Sequence, residues 1–327
     1  MSSSTTDGAQ RGSPNGRWLG LTNGTDGQLE PGYIGLAKSG QLGERVRALR
    51  AMAQSCTLCP RACRVDRLAN ERGKCRTGTR ATLCSAHPHM GEEPPLVGYR
   101  GSGTIFFTHC NLACVYCQNY DISHLGIGQE VDCETLAEAM LKLQRMGCHN
   151  INFVSPSHVV PQIVEAVAVA VERGLRVPLV YNSGGYDSVA TLRLLDGVFD
   201  IYMPDMKYSD PALGEAYSGV KDYPAVNRAA VKEMHRQVGD LIADSSGVAV
   251  RGLLVRHLVL PNGLAGTEDI LRFLATEISR DTYVNIMDQY HPCFKANRIP
   301  ELSRRITATE YREALRMAQR LGLHRGF

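Results

Sequence analysis

The chain has 327 residues, a formal net charge of +3, 43% hydrophobic residues and 21% charged residues. This size and composition fit a soluble globular protein with one large α/β domain and a small appendage, or with two ordinary domains. The weak net charge argues against nucleic acid as a partner, and no apolar run approaches the ~18–20 residues of a membrane helix.

The first forty residues are predicted to be a disordered tail, because Ser, Gly, Thr and Pro dominate them. They contain no apolar segment of the kind found in secretory signals. Eleven cysteines in a chain without an export signal indicate a reducing compartment, and we expect the protein to be cytoplasmic. In that compartment clustered thiols bind metal or perform redox chemistry more often than they form disulfides.

Residues 41–90 are predicted to form a cysteine-rich metal-binding extension. The amphipathic segment LGERVRALRAMAQ leads into Cys56, Cys59, Cys63 and Cys75, spaced C-x2-C-x3-C-x11-C, and Cys84 follows as a further candidate ligand. Four thiols are enough for zinc or for a saturated iron–sulfur centre. Such a site would either stabilise a segment that is too small to form its own hydrophobic core or relay an electron.

The segment HPHMGEEPPLVGYRGSG follows and is predicted to be a linker in which two prolines fix a rigid turn. Residues 91–300 then show six short apolar runs with strand character, TIFF, INFV, RVPLVY, FDIYM, LLVRHLVL and YVNIM. Helical periodicity separates them, as in ETLAEAMLKLQRMG, which Asp132 is predicted to cap and Gly147 to end. Alternating strands and helices predict a parallel sheet, either doubly wound or curled into a partial barrel. Residues 301–327 are predicted to add a C-terminal helix that packs on the barrel.

Three cysteines stand directly after the first of these runs. Cys110, Cys114 and Cys117 follow the pattern C-x3-C-x2-C. Soft anionic thiolates suit iron, and a closed [4Fe–4S] cluster takes four of them. Three leave one iron with an open position that can bind a substrate or cosubstrate. The alternative is a zinc site with an unseen fourth ligand. The remaining Cys133, Cys148 and Cys293 are interpreted as small buried apolar side chains.

The cysteine loop CNLACVYC, with Tyr116 before its last cysteine, resembles the signature of the radical S-adenosylmethionine superfamily. The resemblance implies a partial (β/α)6 barrel of parallel strands with a [4Fe–4S] cluster and S-adenosylmethionine at its top. It also implies reductive cleavage of the sulfonium to methionine and a 5′-deoxyadenosyl radical, with a flavodoxin or ferredoxin as electron donor. A barrel is therefore expected in preference to a doubly wound sheet.

Residues 55–295 resemble, more closely, the group related to the pyruvate formate-lyase-activating enzyme. The blocks that carry the resemblance are CVYCQNYD, YNSGGYDS, YMPDMKY, VRHLVLPNG and YHPC. By this resemblance the cofactor-binding residues are Tyr116, Asn119, Asn182, Ser183, Met203, Asp205 and Lys207, and Ser155 is a further candidate at a position where the resemblance fails. Asn182 and Ser183 would contact the cosubstrate or a nearby cation, and Met203 and Asp205 would lie near that cation. Lys207, Asp205, Arg256 and His291 would perform or support catalysis.

Two features depart from that group. The segment VSPSHVVP stands where most of the superfamily has a Gly-Gly-Glu element that meets the amino group of the cosubstrate. Ser155, Ser157, His158 or backbone carbonyls could serve instead. In addition, the extra cysteines precede the C-x3-C-x2-C loop, whereas activating enzymes often carry them after it.

Three functions are compatible with these patterns. The first is a radical enzyme that takes hydrogen from a protein or peptide, as activating enzymes do. The second is a radical enzyme acting on a small molecule in cofactor or metabolite biosynthesis. The third is a zinc-bearing binding module without catalysis.

Overall fold

The computed structural model describes residues 29–327, so the predicted tail falls partly outside the described residues. For residues 29–40 the prediction of a disordered tail is wrong. Gly32–Lys38 form a helix in which Tyr33 and Ile34 are buried. The backbone N–H of Gly32 donates a hydrogen bond to the Asp200 carboxylate at 2.8 Å. This packing was hidden in the sequence because Asp200 lies 168 residues away.

Ten α-helices and nine strands occur within residues 29–327. The helices are α1 Gly32–Lys38, α2 Gln41–Gln54, α3 Pro94–Val97, α4 Cys133–Arg145, α5 Val160–Glu172, α6 Val189–Leu194, α7 Pro211–Ser218, α8 Tyr223–Val238, α9 Thr267–Phe273 and α10 Ala308–Arg320. The strands are β1 Ala81–His89, β2 Ser102–Phe107, β3 Gln129–Val131, β4 Ile151–Val154, β5 Leu179–Ser183, β6 Ile201–Pro204, β7 Ile242–Ala243, β8 Ala249–Leu258 and β9 Tyr283–Met287.

The six strands expected from the sequence are β2, β4, β5, β6, β8 and β9, and each pairs in parallel with the next one in this series. They lie side by side in chain order. A doubly wound sheet would instead reverse its order partway across. Because parallel crossovers are right-handed, steps in one direction place the helices on one face of the sheet. The architecture is an α/β fold with a mostly parallel mixed sheet, as expected for a partial barrel.

Burial alternates along the strands, so the two faces of the sheet have different neighbours. Tyr181 and Tyr202 belong to the large apolar core that also contains residues of α4, α5 and α8. Val180 and Met203, one position away, belong to a second cluster with Leu96 of α3. Alternation places these two sets on opposite faces, which makes the second cluster the interior of the barrel.

The cysteine-rich segment is not separate from the barrel, because Pro31–Phe327 form one compact unit. Strand β1 pairs antiparallel with β2, and β3 pairs antiparallel with β1. The linker predicted after residue 86 is also wrong in part. Its first residues complete β1, and α3 enters the barrel interior, where Leu96 packs fully buried with Val180 and Ile201. At the other end of the chain, Ala314 and Ala318 of α10 join the large core.

Helix α4 begins where the sequence predicts it. The Asp132 carboxylate accepts a hydrogen bond of 2.9 Å from the backbone N–H of Thr135. The helix ends before Gly147, which has φ +87°. No helix in the described part of the chain has the length and apolar character needed to cross a membrane.

The cap provides a modest test of the fold. Asp132→Ala is expected to lower the free energy of unfolding by about 1 kcal/mol, because one N–H of the first helical turn loses its acceptor. Asp132→Asn keeps an acceptor oxygen and should lose much less. Urea denaturation of both variants measures the difference. Equal losses would show that the cap hydrogen bond does not stabilise α4.

Candidate active site

The loop after β2 brings the three predicted cysteines to one cavity. Cys110, Cys114 and Cys117 all line a cavity of about 210 Å³ at the carboxyl ends of the parallel strands. The chain turns sharply out of the strand at His109, which has φ +71°. The thiols therefore lie where active sites of parallel α/β proteins usually lie.

Each of the three sulfurs has a polar neighbour. The backbone N–H of Leu112 donates to Cys110 Sγ at 3.4 Å. Cys114 Sγ lies 2.9 Å from the Ser218 hydroxyl, and Cys117 Sγ lies 3.1 Å from the Ser123 hydroxyl. Burial raises the pKa of the Cys110 thiol to about 12 and also raises the pKa values of the other two. These groups are therefore neutral thiols in spite of the nearby Lys207 ammonium, which opposes the effect of burial, and bound iron would favour thiolates.

An ion cluster of Asp205, Lys207 and Arg256 also lines this cavity. Arg256 Nε donates to Asp205 Oδ1 at 2.9 Å, and Lys207 Nζ donates to Asp205 Oδ2 at 2.7 Å. Burial would raise the pKa of Asp205, but the two cations outweigh it and lower that pKa. Burial would lower the pKa of Lys207, but Asp205 outweighs it and raises that pKa. All three groups are therefore charged, and Lys207 has N–H donors left for a carboxylate in the cavity.

Arg256 contacts two residues of the predicted cation site. Its Nη2 donates to Asn182 Oδ1 at 2.7 Å and lies 2.8 Å from Asp205 Oδ1. A guanidinium thus lies between Asp205, which was expected beside a bound cation, and Asn182, which was expected at the cosubstrate or at that cation. Met203, expected beside that cation, is fully buried with Leu96 and Val180 and does not line the cavity. The prediction of a cation near Met203 has no support in this geometry.

Most of the remaining predicted residues line the same cavity, namely Tyr116, Asn119, Ser155, Asn182 and Ser183. His291 does not. Its Nδ1 lies 3.3 Å from the Gln289 carbonyl oxygen, and the cavity wall near β9 is formed by Met287 and Gln289. His291 is displaced because β9 ends at Met287, four residues earlier in the chain.

The sequence suggested that Cys293 is a small buried apolar side chain, but its thiol makes hydrogen bonds. Its Sγ donates to the backbone carbonyls of Tyr116 and Cys117 at 3.5 and 3.4 Å. Cys293 does not line the cavity, so its thiol contacts the cysteine loop from outside the cavity. It therefore helps to hold the loop in position.

Two acidic residues in the predicted linker belong to the site although the sequence did not predict them there. Glu92 Oε2 accepts from Asn152 Nδ2 at 2.7 Å, and Glu92 Oε1 lies 3.7 Å from Arg256 Nη1. Glu93 Oε2 accepts from Asn285 Nδ2 at 2.7 Å, and burial raises the pKa of Glu93. Two adjacent carboxylates just before α3 thus extend the ion cluster into the barrel interior. The signal available in the sequence was the pair of adjacent glutamates, Glu92 and Glu93.

The upstream cysteines also lie together. Cys56, Cys59, Cys63 and Cys75 line a second, smaller cavity, whereas Cys84 lies in β1 and does not. Among residues 29–327, no three His, Cys, Asp or Glu side chains are grouped as the ligands of a metal ion would be. This holds for both cysteine sets.

A partial barrel of parallel strands carries three thiols and a buried ion cluster at its carboxyl edge, an arrangement suited to an α/β-barrel enzyme that binds an iron–sulfur group. The sequence profile of the Radical SAM superfamily matches residues 104–240. An uncharacterized protein of Methanocaldococcus jannaschii is 32% identical over 286 residues, which cover 85% of this chain and 78% of that relative. The chain belongs to the radical S-adenosylmethionine superfamily, whose enzymes use a [4Fe–4S] cluster and S-adenosylmethionine and need a reductant.

The residues in the cavity fit these two groups. The three thiols would supply soft ligands to a cluster, whose thiolates bind different irons. Lys207 would supply donors for the carboxylate of S-adenosylmethionine, and Asn182 and Ser183 would supply neutral polar groups in the same cavity.

Proposed function

We propose that this radical S-adenosylmethionine enzyme takes hydrogen from a protein or peptide substrate, in the manner of the pyruvate formate-lyase-activating group. With its cofactors bound, the site supplies reductive cleavage of the sulfonium to methionine and a 5′-deoxyadenosyl radical, which abstracts the hydrogen. The observation that carries the radical chemistry is the joint lining of one cavity by three thiols and the ion cluster of Asp205, Lys207 and Arg256.

The proposal gives each polar residue a role through its contacts. Asp205 holds the Lys207 ammonium and the Arg256 guanidinium charged and in place. Lys207 binds the carboxylate of S-adenosylmethionine, and Asn182, Ser183, Asn119 and Ser155 contact its other polar groups. Tyr116 is buried, and its hydroxyl accepts a hydrogen bond of 2.6 Å from Tyr208, which keeps the cysteine loop fixed. Met203 and His291 have no direct role in this proposal.

A large substrate is favoured by the surface beside the cavity. The segment that lines it through Asn119, Ile122 and Ser123 also exposes three apolar side chains, those of Tyr120, Leu125 and Ile127. Apolar side chains exposed next to a catalytic cavity are suited to contact a polypeptide. The alternative, a small molecule in cofactor or metabolite biosynthesis, would have to fill the cavity itself.

We expect the anaerobically reconstituted, reduced protein to form 5′-deoxyadenosine from S-adenosylmethionine. Cys110→Ala should form none above background, because only two thiols remain to hold the cluster. Cys148→Ala is the matched control, since Cys148 lies in the large core and should leave product formation unchanged. Liquid chromatography of the nucleoside product measures the result. No product from the wild-type protein would refute the radical chemistry.

The substrate class can be tested by size. Cell extract is separated by ultrafiltration, and the retained proteins and the filtrate are each added to the reduced enzyme. We expect retained proteins to increase 5′-deoxyadenosine formation and to lose the effect after protease treatment. An increase caused by the filtrate alone would favour the small-molecule function. A colourless protein with stoichiometric zinc and no iron would favour the binding module.

We also propose an electron donor, a cellular location and a second metal centre. A flavodoxin or ferredoxin donates the electron, and the protein acts in the cytoplasm without membrane or nucleic acid. Cys56, Cys59, Cys63 and Cys75 hold a second metal centre.

A further inference from the structure

The cavity formed by the upstream cysteines contains a buried hydrogen-bond donor without an acceptor. Arg61 lines this cavity with Cys56, Cys59, Cys63 and Cys75. Its Nη2 is buried and has no hydrogen-bond partner within residues 29–327. Burying a guanidinium N–H without an acceptor is costly, which indicates that an acceptor belongs in this space. The backbone N–H of Lys74 also points at a ligand sulfur, with a distance of 3.5 Å to Cys63 Sγ.

An iron–sulfur cluster fits these features better than a zinc ion. Its inorganic sulfides would add anionic acceptors for Arg61 Nη2, whereas at a zinc ion bound by four thiolates the cysteine sulfurs would be the only acceptors. The four cysteines line one space. A [4Fe–4S] cluster would use all of them, because its four thiolates bind four different irons.

The second cavity lies next to the first. Asn111 lines the upstream cavity, and the preceding residue, Cys110, lines the cavity of the three-cysteine loop. Arg61 Nε donates to the Asn111 backbone carbonyl at 2.7 Å, and Arg61 Nη1 donates to the Gly219 carbonyl at 3.1 Å. Consecutive residues therefore line the two sites. A redox centre in the upstream cavity would be in close contact with the cysteine loop.

The outer surface of the upstream segment is basic. Five cationic side chains between residues 64 and 80 are exposed, namely Arg64, Arg72, Lys74, Arg76 and Arg80. The acidic residues in the same stretch are Asp66 and Glu71. A basic surface attracts an acidic protein and orients it before contact. An acidic redox protein is the partner that this surface fits.

We propose that Cys56, Cys59, Cys63 and Cys75 hold a fully protein-ligated [4Fe–4S] cluster that receives electrons from an acidic one-electron donor and passes them to the cluster at Cys110, Cys114 and Cys117. This relay rests on the proposed function. The donor, a reduced flavodoxin or ferredoxin, loses one electron and the upstream cluster gains it. The upstream cluster is reoxidised when the electron moves on. No bond is made or broken in this transfer.

The upstream cluster is tested in a variant that lacks the other one. Cys110→Ala, Cys114→Ala and Cys117→Ala are combined, and the protein is reconstituted anaerobically. We expect about four irons per chain, little zinc and, after reduction, the electron paramagnetic resonance spectrum of a [4Fe–4S]⁺ cluster. Circular dichroism verifies folding. Stoichiometric zinc, or neither metal in the folded variant, would overturn the proposal. This result does not depend on whether the wild-type protein forms 5′-deoxyadenosine.

If the triple variant does not fold, the iron count of the wild-type protein decides instead. About eight irons per chain support two clusters, and about four refute the second one.

The relay is tested in Cys56→Ser combined with Cys59→Ser. We expect 5′-deoxyadenosine formation driven by reduced flavodoxin to fall by about tenfold, whereas dithionite, which is small enough to enter the open cavity, should still support formation. Cys133→Ser is the control, because Cys133 begins α4 away from both cavities. Equal losses with both reductants would indicate a purely structural cluster and refute the relay, as would no loss with either.

Discussion

Asp205→Asn is expected to lower the free energy of unfolding by about 3–5 kcal/mol, because it leaves two buried cations without their shared carboxylate. Asp205 is bonded to both Arg256 and Lys207, and the three side chains are each less than a fifth exposed. Asparagine has nearly the same shape, so the loss is one of charge rather than of packing. Arg256 keeps a bond to Asn182, but Lys207 loses its carboxylate partner. Urea denaturation under anaerobic conditions measures the effect.

Asp196→Asn is the matched control for this prediction. Asp196 pairs with Arg236 at 2.8 Å, but these side chains are 40% and 55% exposed. Exposed ion pairs contribute about 0–1 kcal/mol, so the same chemical change should have little effect there. Similar losses in the two variants would contradict the prediction that burial makes the Asp205 ion pairs more stabilising than an exposed pair.

The pH dependence gives an independent check on Asp205. The two cations hold its pKa below the ordinary value of 3.8 in the folded protein. A lowered folded pKa means that the stabilisation is complete above the unfolded pKa and is lost as the pH falls through the folded one. The stability difference between wild type and Asp205→Asn should therefore be constant at neutral pH and shrink below about pH 4. A difference that grew on acidification would be inconsistent with this charge assignment.

The strands and the cysteine loop could be predicted because their signals are local. Each of the six parallel strands is a short apolar run between turn-forming residues, and the three cysteines proposed as cluster ligands lie within eight residues. The strand ends then place Asn182, Asp205 and Arg256 at one edge of the sheet without further information. Asp205 and Arg256 form an isolated parallel bridge, which brings their side chains to the same level of the barrel.

The acidic pair in the predicted linker could not be placed from local signals. Glu92 is 60 residues from its partner Asn152, and Glu93 is 192 residues from its partner Asn285. In the sequence they stand between Gly91 and Pro94, a context that usually indicates an exposed turn. Only the packing of α3 inside the barrel explains why two carboxylates are buried there. Helix α1 was missed for the same reason, because Tyr33 and Ile34 are buried only against distant parts of the fold.

The turn after β5 links backbone geometry to the ion cluster. Gly185 has φ +74°, and its carbonyl accepts a hydrogen bond of 2.9 Å from Asn227 Nδ2. The same amide nitrogen donates to the Asp205 carbonyl at 2.9 Å, and the Tyr223 hydroxyl lies 3.1 Å from that oxygen. The backbone of Asp205 is therefore fixed by a turn that only glycine can form without strain.

Gly185→Ala is expected to lower the free energy of unfolding by about 3 kcal/mol or more and to weaken S-adenosylmethionine binding. A Cβ atom there would lie 2.1 Å from the Asp205 carbonyl oxygen and 2.2 Å from Asn227 Nδ2, so the turn, Asp205 or α8 has to move. Gly174→Ala separates this clash from backbone strain. Gly174 has φ +97°, and apart from its chain neighbours no atom of residues 29–327 lies within 4 Å of the position that an alanine methyl group would take, so it should lose only about 1–2 kcal/mol. Denaturation and equilibrium binding of S-adenosylmethionine measure both variants. Equal effects of Gly185→Ala and Gly174→Ala in both measurements would contradict this prediction. They would show that the close approach of the turn to Asp205 does not hold the ion cluster in position.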